Sequence, residues 1–239
     1  MKTTKHFLVA AAFAALALFA CSGDSSSSVD GSSSSGGDSS SSEGGSSYAV
    51  GDTGPGGGII FYYNEEGFTV WGYGEPGLPG YFATYTANYL EVVSTGNIFS
   101  LQWGDENTLV SGVSTYDSWG SRDLIKSTTL GYGRKNTQIL AAHMNGKSIT
   151  GTGAQACANY TAGGKDDWFL PSIGEMIMLV DIYEAGIPGN EEWQLFSLTS
   201  NYLSSTQRNE YWGWMSMNGN AMNLSKSTST YSARPIRAF

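Results

Sequence analysis

The stretch Asp167-Trp168-Phe169-Leu170-Pro171-Ser172-Ile173-Gly174-Glu175 sets the organisation of the folded part of the chain. Ser172 and Glu175 have the spacing of a capping box, in which each side chain satisfies a backbone N–H at the start of a helix. Apolar residues then recur at helical spacing, at Ile173, Met176, Ile177, Val180 and Tyr183. The stretch therefore predicts a helix over 172–185 with one apolar face.

Two shorter helices are predicted upstream of this one. The first covers 137–144, with Asn136 as its N-cap and an end near Gly146. The second covers 154–160 and stops at the pair Gly163-Gly164. The sequence thus predicts two to three helices in the middle of the domain.

Strand-like segments flank the helices on both sides. The turn-rich Gly54-Pro55-Gly56-Gly57 precedes predicted strands at 58–63 and 68–72, and residues 73–135 form a long, Gly-rich, irregular segment. Further strands are predicted at 202–205, 211–217, 221–224 and 232–237, with hairpin-turn residues at 218–220. Strands at both ends with helices between them predict an α+β domain. We expect 59–62 and 233–238 to share one sheet.

The first 20 residues have the pattern of an export signal. Lys2 and Lys5 form a short positive region, and residues 7–20 carry no charge. That apolar run is shorter than the roughly 20 residues needed to cross a bilayer, and it suits a signal peptide. It ends Leu18-Phe19-Ala20-Cys21, which resembles the lipobox of bacterial lipoproteins, in which the Cys receives a diacylglycerol. We expect 1–20 to be a lipoprotein signal peptide and Cys21 to be lipidated; an ordinary secretory signal cleaved after Ala20 is the alternative.

Residues 21–47 are predicted to be a tether behind the lipidated Cys. The segment is almost entirely Ser and Gly, and Val29 is its one apolar residue. Such a composition cannot bury enough surface to offset chain entropy, so it predicts a disordered coil spanning roughly 30 Å. The anchor predicts a location outside the cytoplasm, in the cell envelope. Ser22 follows the Cys, which by resemblance to enteric lipoproteins indicates the outer membrane; display at the cell surface stays open.

Residues 48–239 form the predicted folded domain. Of the chain's 12 Lys+Arg and 21 Asp+Glu, two and four precede residue 48, which leaves 10 against 17 and a net charge of −7. An acidic domain rich in Trp and Tyr is a poor candidate for nucleic-acid binding, since phosphate neutralisation dominates that affinity. Besides Cys21 there is one Cys, Cys157, and the domain has one His, His143, so neither a disulfide nor the usual zinc site is expected. No nucleophile elbow or phosphate loop occurs, and we expect no cofactor, no metal and no catalysis.

A set of motifs resembles one family. The set comprises Ala156-Cys157-Ala158-Asn159-Tyr160, Gly163-Gly164, the stretch from Asp167 to Ser172, Glu175, Tyr202-Leu203-Ser204-Ser205-Thr206 and Arg234-Pro235-Ile236-Arg237-Ala238-Phe239. Over most of residues 50–239 it resembles the DUF1566 family, also called the C-terminal domain of the Legionella collagen-like protein. The resemblance implies a C-type-lectin-like fold with both terminal strands in one sheet and long irregular loops. It also implies a surface or secreted protein; the named member binds sulfated glycosaminoglycans and aids adhesion.

Five residues of these motifs are predicted to be structural. Trp168 next to Leu170-Pro171 fits a core aromatic before the third helix, where Pro171 restricts the residue that precedes it. An Arg in an apolar strand usually has a carboxylate or carbonyl partner. We expect Asp167 and Glu175 to be those partners. The five predicted structural residues are Trp168, Pro171, Glu175, Arg234 and Arg237.

The ligand surface is predicted on the long irregular segment, because binding side chains often lie on loops held by a rigid scaffold. Trp103 and Trp119 lie beside turn-rich sequence there, with Arg122 nearby. Trp212 and Trp214 alternate along a predicted strand, so they share one sheet face. We predict that all five contact the ligand, with a core face as the alternative for Trp212 and Trp214.

Three functions fit the sequence, in decreasing order. The first is a non-catalytic, envelope-anchored binding module for carbohydrate or another extracellular polymer, since sugar C–H faces stack on Trp or Tyr. The second is a structural or protein-interaction domain of the envelope. The third is an unrecognised hydrolase, built from acidic residues that converge from distant segments.

Overall fold

The computed structural model describes residues 47–93, 98–186, 200–228 and 231–239. The predicted signal peptide, Cys21 and the tether as far as residue 46 lie outside the described residues. Within the described ranges the chain forms eight strands and four helices, which confirms the α+β class. In chain order they are β1 (Ile59–Val70), β2 (Tyr85–Val92), β3 (Ile98–Leu101), α1 (Arg122–Thr129), α2 (Gly133–Gly146), α3 (Gly153–Ala158), α4 (Ile173–Ala185), β4 (Asn201–Gln207), β5 (Trp212–Met217), β6 (Asn220–Ser225), β7 (Tyr231–Ala233) and β8 (Ile236–Ala238).

Both ends of the domain meet in one antiparallel sheet with the strand order β1-β2-β8. β1 and β8 each pair with β2, so the predicted segment 59–62 shares a sheet with residues 236–238 of the predicted segment 233–238, without pairing with them directly. Ala233 belongs to β7, which lies in a different sheet. Next to this sheet the ring centroids of Tyr48 and Phe239 are 5.7 Å apart. The first and last parts of the domain are therefore neighbours in space.

Two features of this sheet differ from the sequence prediction. The predicted strands 58–63 and 68–72 are one strand, β1, whose register shifts between Tyr63 and Phe68. β2 lies in the segment that was expected to be irregular. Its side chains Ala87 and Leu90 are fully buried in the core cluster that also contains Leu179 of α4. Packing against a distant helix thus selects the extended conformation of β2, which no local pattern indicated.

The second sheet has the order β3-β7-β4-β5-β6. Its strands pair antiparallel except β4 and β7, which are parallel at Tyr202 and Ser232. The single strand predicted over 232–237 is in fact β7 and β8, which belong to different sheets. Pro235 stands between them; it has no N–H to continue a ladder, and its carbonyl accepts a hydrogen bond from Val93 N at 3.2 Å.

Helix α4 begins at the predicted capping box. The Ser172 hydroxyl accepts from Glu175 N, and the Glu175 carboxylate accepts from Ser172 N at 2.7 Å. Every residue from Ile173 to Val180 is buried. The predicted one-sided apolar face is therefore wrong for the first two turns, because α4 is packed against α1 and against strands of both sheets.

The other helices depart further from prediction. The described residues contain four helices instead of two to three, because α1 lies in the segment expected to be irregular. α2 begins at Gly133 and includes Asn136, so Asn136 is not an N-cap. Its amide instead binds Ser114, donating to Oγ at 2.7 Å and accepting from the backbone N at 2.9 Å. α3 begins at a second capping box, formed by Thr152 and Gln155.

Candidate functional site

A buried ion-pair network joins the glycine-rich loop, residues 54–58, to the terminal motif, residues 234–239. Arg237 Nη1 lies 2.9 Å from Glu91 Oε1, and Arg237 Nε donates to Asp167, one of its two predicted partners. Glu91 also accepts from the backbone N–H groups of Gly56 and Gly58, at 3.0 and 3.2 Å. A Cβ on Gly56 would lie 2.6 Å from Glu91 Oε1, so only glycine allows this approach. These contacts give the terminal motif a structural explanation.

Three more of the predicted structural residues, Trp168, Pro171 and Arg234, are buried as well. Trp168 is 1% exposed, and its indole N–H donates to Ala162 O at 3.3 Å. Arg234 Nη2 donates to Val93 O at 2.7 Å, and the carbonyl of Pro171 accepts from Ser205 N at 2.7 Å. None of these groups faces open solvent.

Glu175 is not the arginine partner that the sequence suggested. Its carboxylate accepts from Gly131 N at 2.8 Å and from Ser172 N, so it ties the start of α4 to the connection between α1 and α2. Burial raises the pKa of Glu175 to about 7, and the backbone hydrogen bonds oppose that rise. The residue is buried too deeply to meet a ligand.

Two of the predicted ligand-binding tryptophans are core residues. Trp103 is 1% exposed and donates its indole N–H to Ser204 O at 2.8 Å; it packs on Gly213, where a Cβ would lie 2.6 Å from Nε1. Trp214 is fully buried and donates to Tyr116 O at 2.6 Å. The expectation that turn-rich sequence leaves Trp103 exposed is wrong, because residues more than 100 positions along the chain cover it.

Trp119 and Trp212 do reach the surface. Trp119 is 60% exposed, and its ring lies edge-on to Trp214 at 5.2 Å between centroids. The Arg208 guanidinium carbon lies 5.5 Å from the Trp119 ring centroid, and Arg208 N donates to Trp212 O at 2.8 Å. Trp119, Arg208, Trp212 and the exposed Tyr211 form what we call the Trp119 surface.

Arg122 is already engaged by acidic side chains. It forms ion pairs with Asp181 at 2.9 Å and with Glu184 at 3.1 Å, and it donates to Gly219 O at 3.2 Å. These contacts join α1 to α4 and to the hairpin between β5 and β6. Its predicted role in binding a ligand is replaced by a structural one.

A polar cleft of about 470 Å³ lies between α2, α3 and the loop from Tyr73 to Tyr81. One wall is the α2 face that carries Arg134, Gln138, Ala142 and Asn145, which recur at helical spacing. The second wall is the loop from Tyr73 to Tyr81, and the third is α3 with the residues that follow it. The full lining is Tyr73, Pro79, Gly80, Tyr81, Arg134, Gln138, Ala141, Ala142, Asn145, Gln155, Ala158, Asn159 and Asp166.

The chemistry of this cleft is that of amides and aromatic rings. Four amide side chains line it, and Tyr81 is 38% exposed. Gln155 Nε2 donates to Asn145 Oδ1 at 2.8 Å, so a hydrogen bond between two lining residues joins α3 to α2. Three alanines among the lining residues leave the space open. A volume of this size lies within the roughly 300 to 1,000 Å³ of small-molecule sites.

Arg134 is held rigidly at one end of the cleft. Its guanidinium carbon lies 4.1 Å from the centroid of the Phe82 ring, and Nη1 donates to Tyr85 Oη at 3.2 Å. Tyr85 Oη in turn donates to Ala238 O at 3.2 Å. The terminal sheet therefore fixes the position of the one basic side chain in the lining.

The cleft was not predicted as a unit. The segment 72–135, on which the ligand surface was predicted, contributes Tyr73, Tyr81 and Arg134 to the cleft, but none of its tryptophans lines it. The helical spacing of Arg134, Gln138 and Asn145 is a signal that could have been used. The contribution of Asn159 and Asp166 could not, because it depends on how the helices pack.

A second groove, of about 480 Å³, lies between α1, α4 and β1 and is more apolar. Its charged groups are already paired, since Lys126 Nζ lies 2.9 Å from both Asp123 and Asp181. It leaves fewer polar groups for a ligand than the polar cleft does.

Two further groups bear on chemistry. Cys157 is fully buried, and burial raises the pKa of its thiol, so the nucleophilic thiolate is disfavoured. His143 Nε2 lies 2.9 Å from Asp105 Oδ2, on α2 but outside the cleft lining. Among the described residues, no three His, Cys, Asp or Glu side chains converge as a metal site would require, and no helix is both long and apolar enough to cross a membrane.

Comparison with known proteins shows a similarity to solved structures. No protein-family model matches the chain, and no curated protein matches it. Among solved structures, the chain is similar to a fimbrial protein from Bacteroides ovatus at 18% sequence identity, with a TM-score of 0.47. The similarity covers 76% of this chain and 44% of that protein, so this chain spans less than half of its length. The predicted C-type-lectin-like fold and the DUF1566 resemblance stay predictions.

Proposed function

We propose that this chain is a lipid-anchored protein of the cell envelope whose folded domain binds carbohydrate without catalysis, at the polar cleft. The observation that carries the proposal is the lining of that cleft, where four amide side chains and two tyrosines surround about 470 Å³. Amides both donate and accept, as sugar hydroxyls do. The exposed ring of Tyr81 offers an apolar face for sugar C–H groups.

The lining favours binding over hydrolysis. Asp166 is the one carboxylate among the lining residues. Most glycoside hydrolases need two carboxyl groups that flank the scissile bond, roughly 5 to 9.5 Å apart. The cleft therefore lacks the second group that the usual mechanism requires.

The anchor is the second part of the proposal. Cys21 follows the uncharged run 7–20, and a polar Ser/Gly segment follows Cys21. Two or more acyl chains hold a protein stably at a membrane. Cys21→Ala should then abolish labelling with palmitate and release the protein from membranes, or block cleavage of the signal. A Cys21→Ala variant that still labels and partitions into detergent would contradict the anchor.

The Trp119 surface is proposed as an accessory sugar contact. Its exposed indole is supported by Trp214, and a rigid aromatic ring can stack on a pyranose at low entropic cost. Loss of Trp119 should weaken binding to a polymer that reaches both surfaces, while binding of a short oligosaccharide in the cleft stays intact.

A glycan array with matched variants tests the proposal. Gln138→Ala and Asn159→Ala remove amides from two walls of the cleft, and Asn220→Ala removes an exposed amide from β6, outside the cleft. We expect both cleft variants to lose binding and the control to keep it, with unchanged melting temperatures. Binding that survives both cleft substitutions would move the site elsewhere, and the absence of any bound glycan would end the carbohydrate proposal.

A further inference from the structure

We propose that the polar cleft recognises a sugar that carries an isolated carboxylate, and that Arg134 is the residue that selects it. The inference rests on the proposed function, because it assigns a ligand class to the same cleft.

The first observation is how Arg134 is held. The Phe82 ring lies 4.1 Å from the guanidinium carbon and the Tyr85 ring lies 5.6 Å from it. A guanidinium has five N–H donors, and Arg134 uses one of its nitrogens to donate to Tyr85 Oη. Aromatic support fixes the plane of the guanidinium and leaves further donors at the cleft.

The second observation is the electrostatic state of Arg134. Arg122, Lys126 and Arg237 each lie about 3 Å or less from a carboxylate. Within the part of the chain that the structure describes, Arg134 has no such ion pair, although it is partly buried. A fixed, planar guanidinium without an ion pair suits the bidentate binding of a carboxylate from outside.

The third observation limits the charge density of the ligand. Arg134 is the one basic residue in the lining, and Asp166 faces the same cleft. The predicted domain has a net charge of −7 from 10 basic and 17 acidic residues. A densely charged polymer would need a basic patch to overcome that field. One carboxylate on an otherwise neutral sugar fits, with its hydroxyls on the amides and Asp166.

Matched glycan pairs provide the test. Each pair consists of an oligosaccharide with a terminal uronic or sialic acid and the same oligosaccharide with that carboxyl reduced to an alcohol. Calorimetry on the full chain in detergent should show that the acidic member binds roughly tenfold or more tightly, the effect of one charge-assisted hydrogen bond. Arg134→Gln should remove that preference and keep the weaker affinity for the reduced member.

Two controls separate this effect from others. Lys135→Gln removes the same charge from the next residue, which does not line the cleft, and it should keep the full preference. Arg134→Lys keeps the charge without the planar donor pair and should show only part of the preference for the acidic glycan. Melting of each variant near the parent temperature shows that the fold is intact.

The outcomes divide cleanly. Equal affinity for acidic and reduced glycans, with binding still lost in Gln138→Ala, would overturn the role of Arg134 and leave the proposed function standing. Tighter binding of heparin than of any singly charged glycan, lowered equally by Arg134→Gln and Lys135→Gln, would show that overall charge is responsible and would also overturn it. If no glycan binds in either form, the proposed function itself fails.

Discussion

Glu91 and Arg237 are register partners on neighbouring strands of the terminal sheet, and both side chains are almost completely buried, at 0% and 10% exposure. Removing one partner of such a buried ion pair destabilises the fold more than removing both, because it leaves the other charge buried without its partner. The pair is tied to the rest of the domain by Asp167 and by the N–H groups of the glycine-rich loop.

The first prediction follows from that pair. Glu91→Ala and Arg237→Ala should each lower the free energy of unfolding by about 3 to 5 kcal/mol, since each leaves a buried charge or N–H group without its partner. The double variant should cost clearly less than the sum of the two. Urea denaturation of all four proteins measures this coupling, and additive losses would show that the two residues act independently.

The second prediction concerns the end of the chain. Deletion of residues 234–239 removes β8, Arg237 and the carbonyl of Phe239, which accepts from Asn88 N and Tyr89 N at 2.9 and 3.0 Å. We expect the shortened domain to lose cooperative thermal unfolding by circular dichroism. A sharp transition near the parent temperature would mean that β1 and β2 do not need the third strand.

The third prediction concerns the pH dependence of stability through Glu175. Burial raises the pKa of its carboxyl from 4.5 to about 7. Between those values the folded protein holds a proton that the unfolded chain has released. The stabilisation is therefore complete below pH 4.5 and is lost as the pH rises through 7, a loss of roughly 3 kcal/mol in the free energy of unfolding. Glu175→Gln cannot titrate, so the difference between parent and variant should change over this window. Identical pH profiles in urea denaturation would contradict the assignment.

The fourth prediction separates core from surface tryptophans. Trp103→Ala and Trp214→Ala should each lower the free energy of unfolding by about 3 to 5 kcal/mol, as for other buried aromatic residues. Trp119→Ala should change it by about 1 kcal/mol or less, because the ring is 60% exposed. Chemical denaturation followed by far-ultraviolet circular dichroism avoids dependence on tryptophan fluorescence. A large loss in Trp119→Ala would assign that ring to the core.

Local signals predicted the parts of the fold that are decided locally. The Ser172–Glu175 capping box places the start of α4 because both of its hydrogen bonds close within four residues. The hairpin between β5 and β6 turns at Asn218 and Gly219, which both have positive φ, the conformation that Asn and Gly tolerate best. In such cases the sequence neighbours are also the spatial neighbours.

Features that depend on residues distant in the chain could not be predicted from the sequence. Trp103 is buried by Ser204 and Gly213, and nothing within its own turn-rich segment records that contact. The break between β7 and β8 differs, since Pro235 is a local signal, but its effect depends on the two separate sheets to which these strands belong. The polar cleft as a whole, like the burial of Trp103, has no local signal, because its walls come from three segments that only packing brings together.

The closeness of Tyr48 and Phe239 has a consequence for the connectivity of the domain. A short flexible bridge could join these two positions, and new ends could be opened at the exposed turn by Asn218 without cutting any strand of either sheet. The same neighbourhood would let the whole domain be inserted into a surface loop of a host protein, with both junctions side by side. The fold therefore depends on the contacts between its strands and helices more than on their order along the chain.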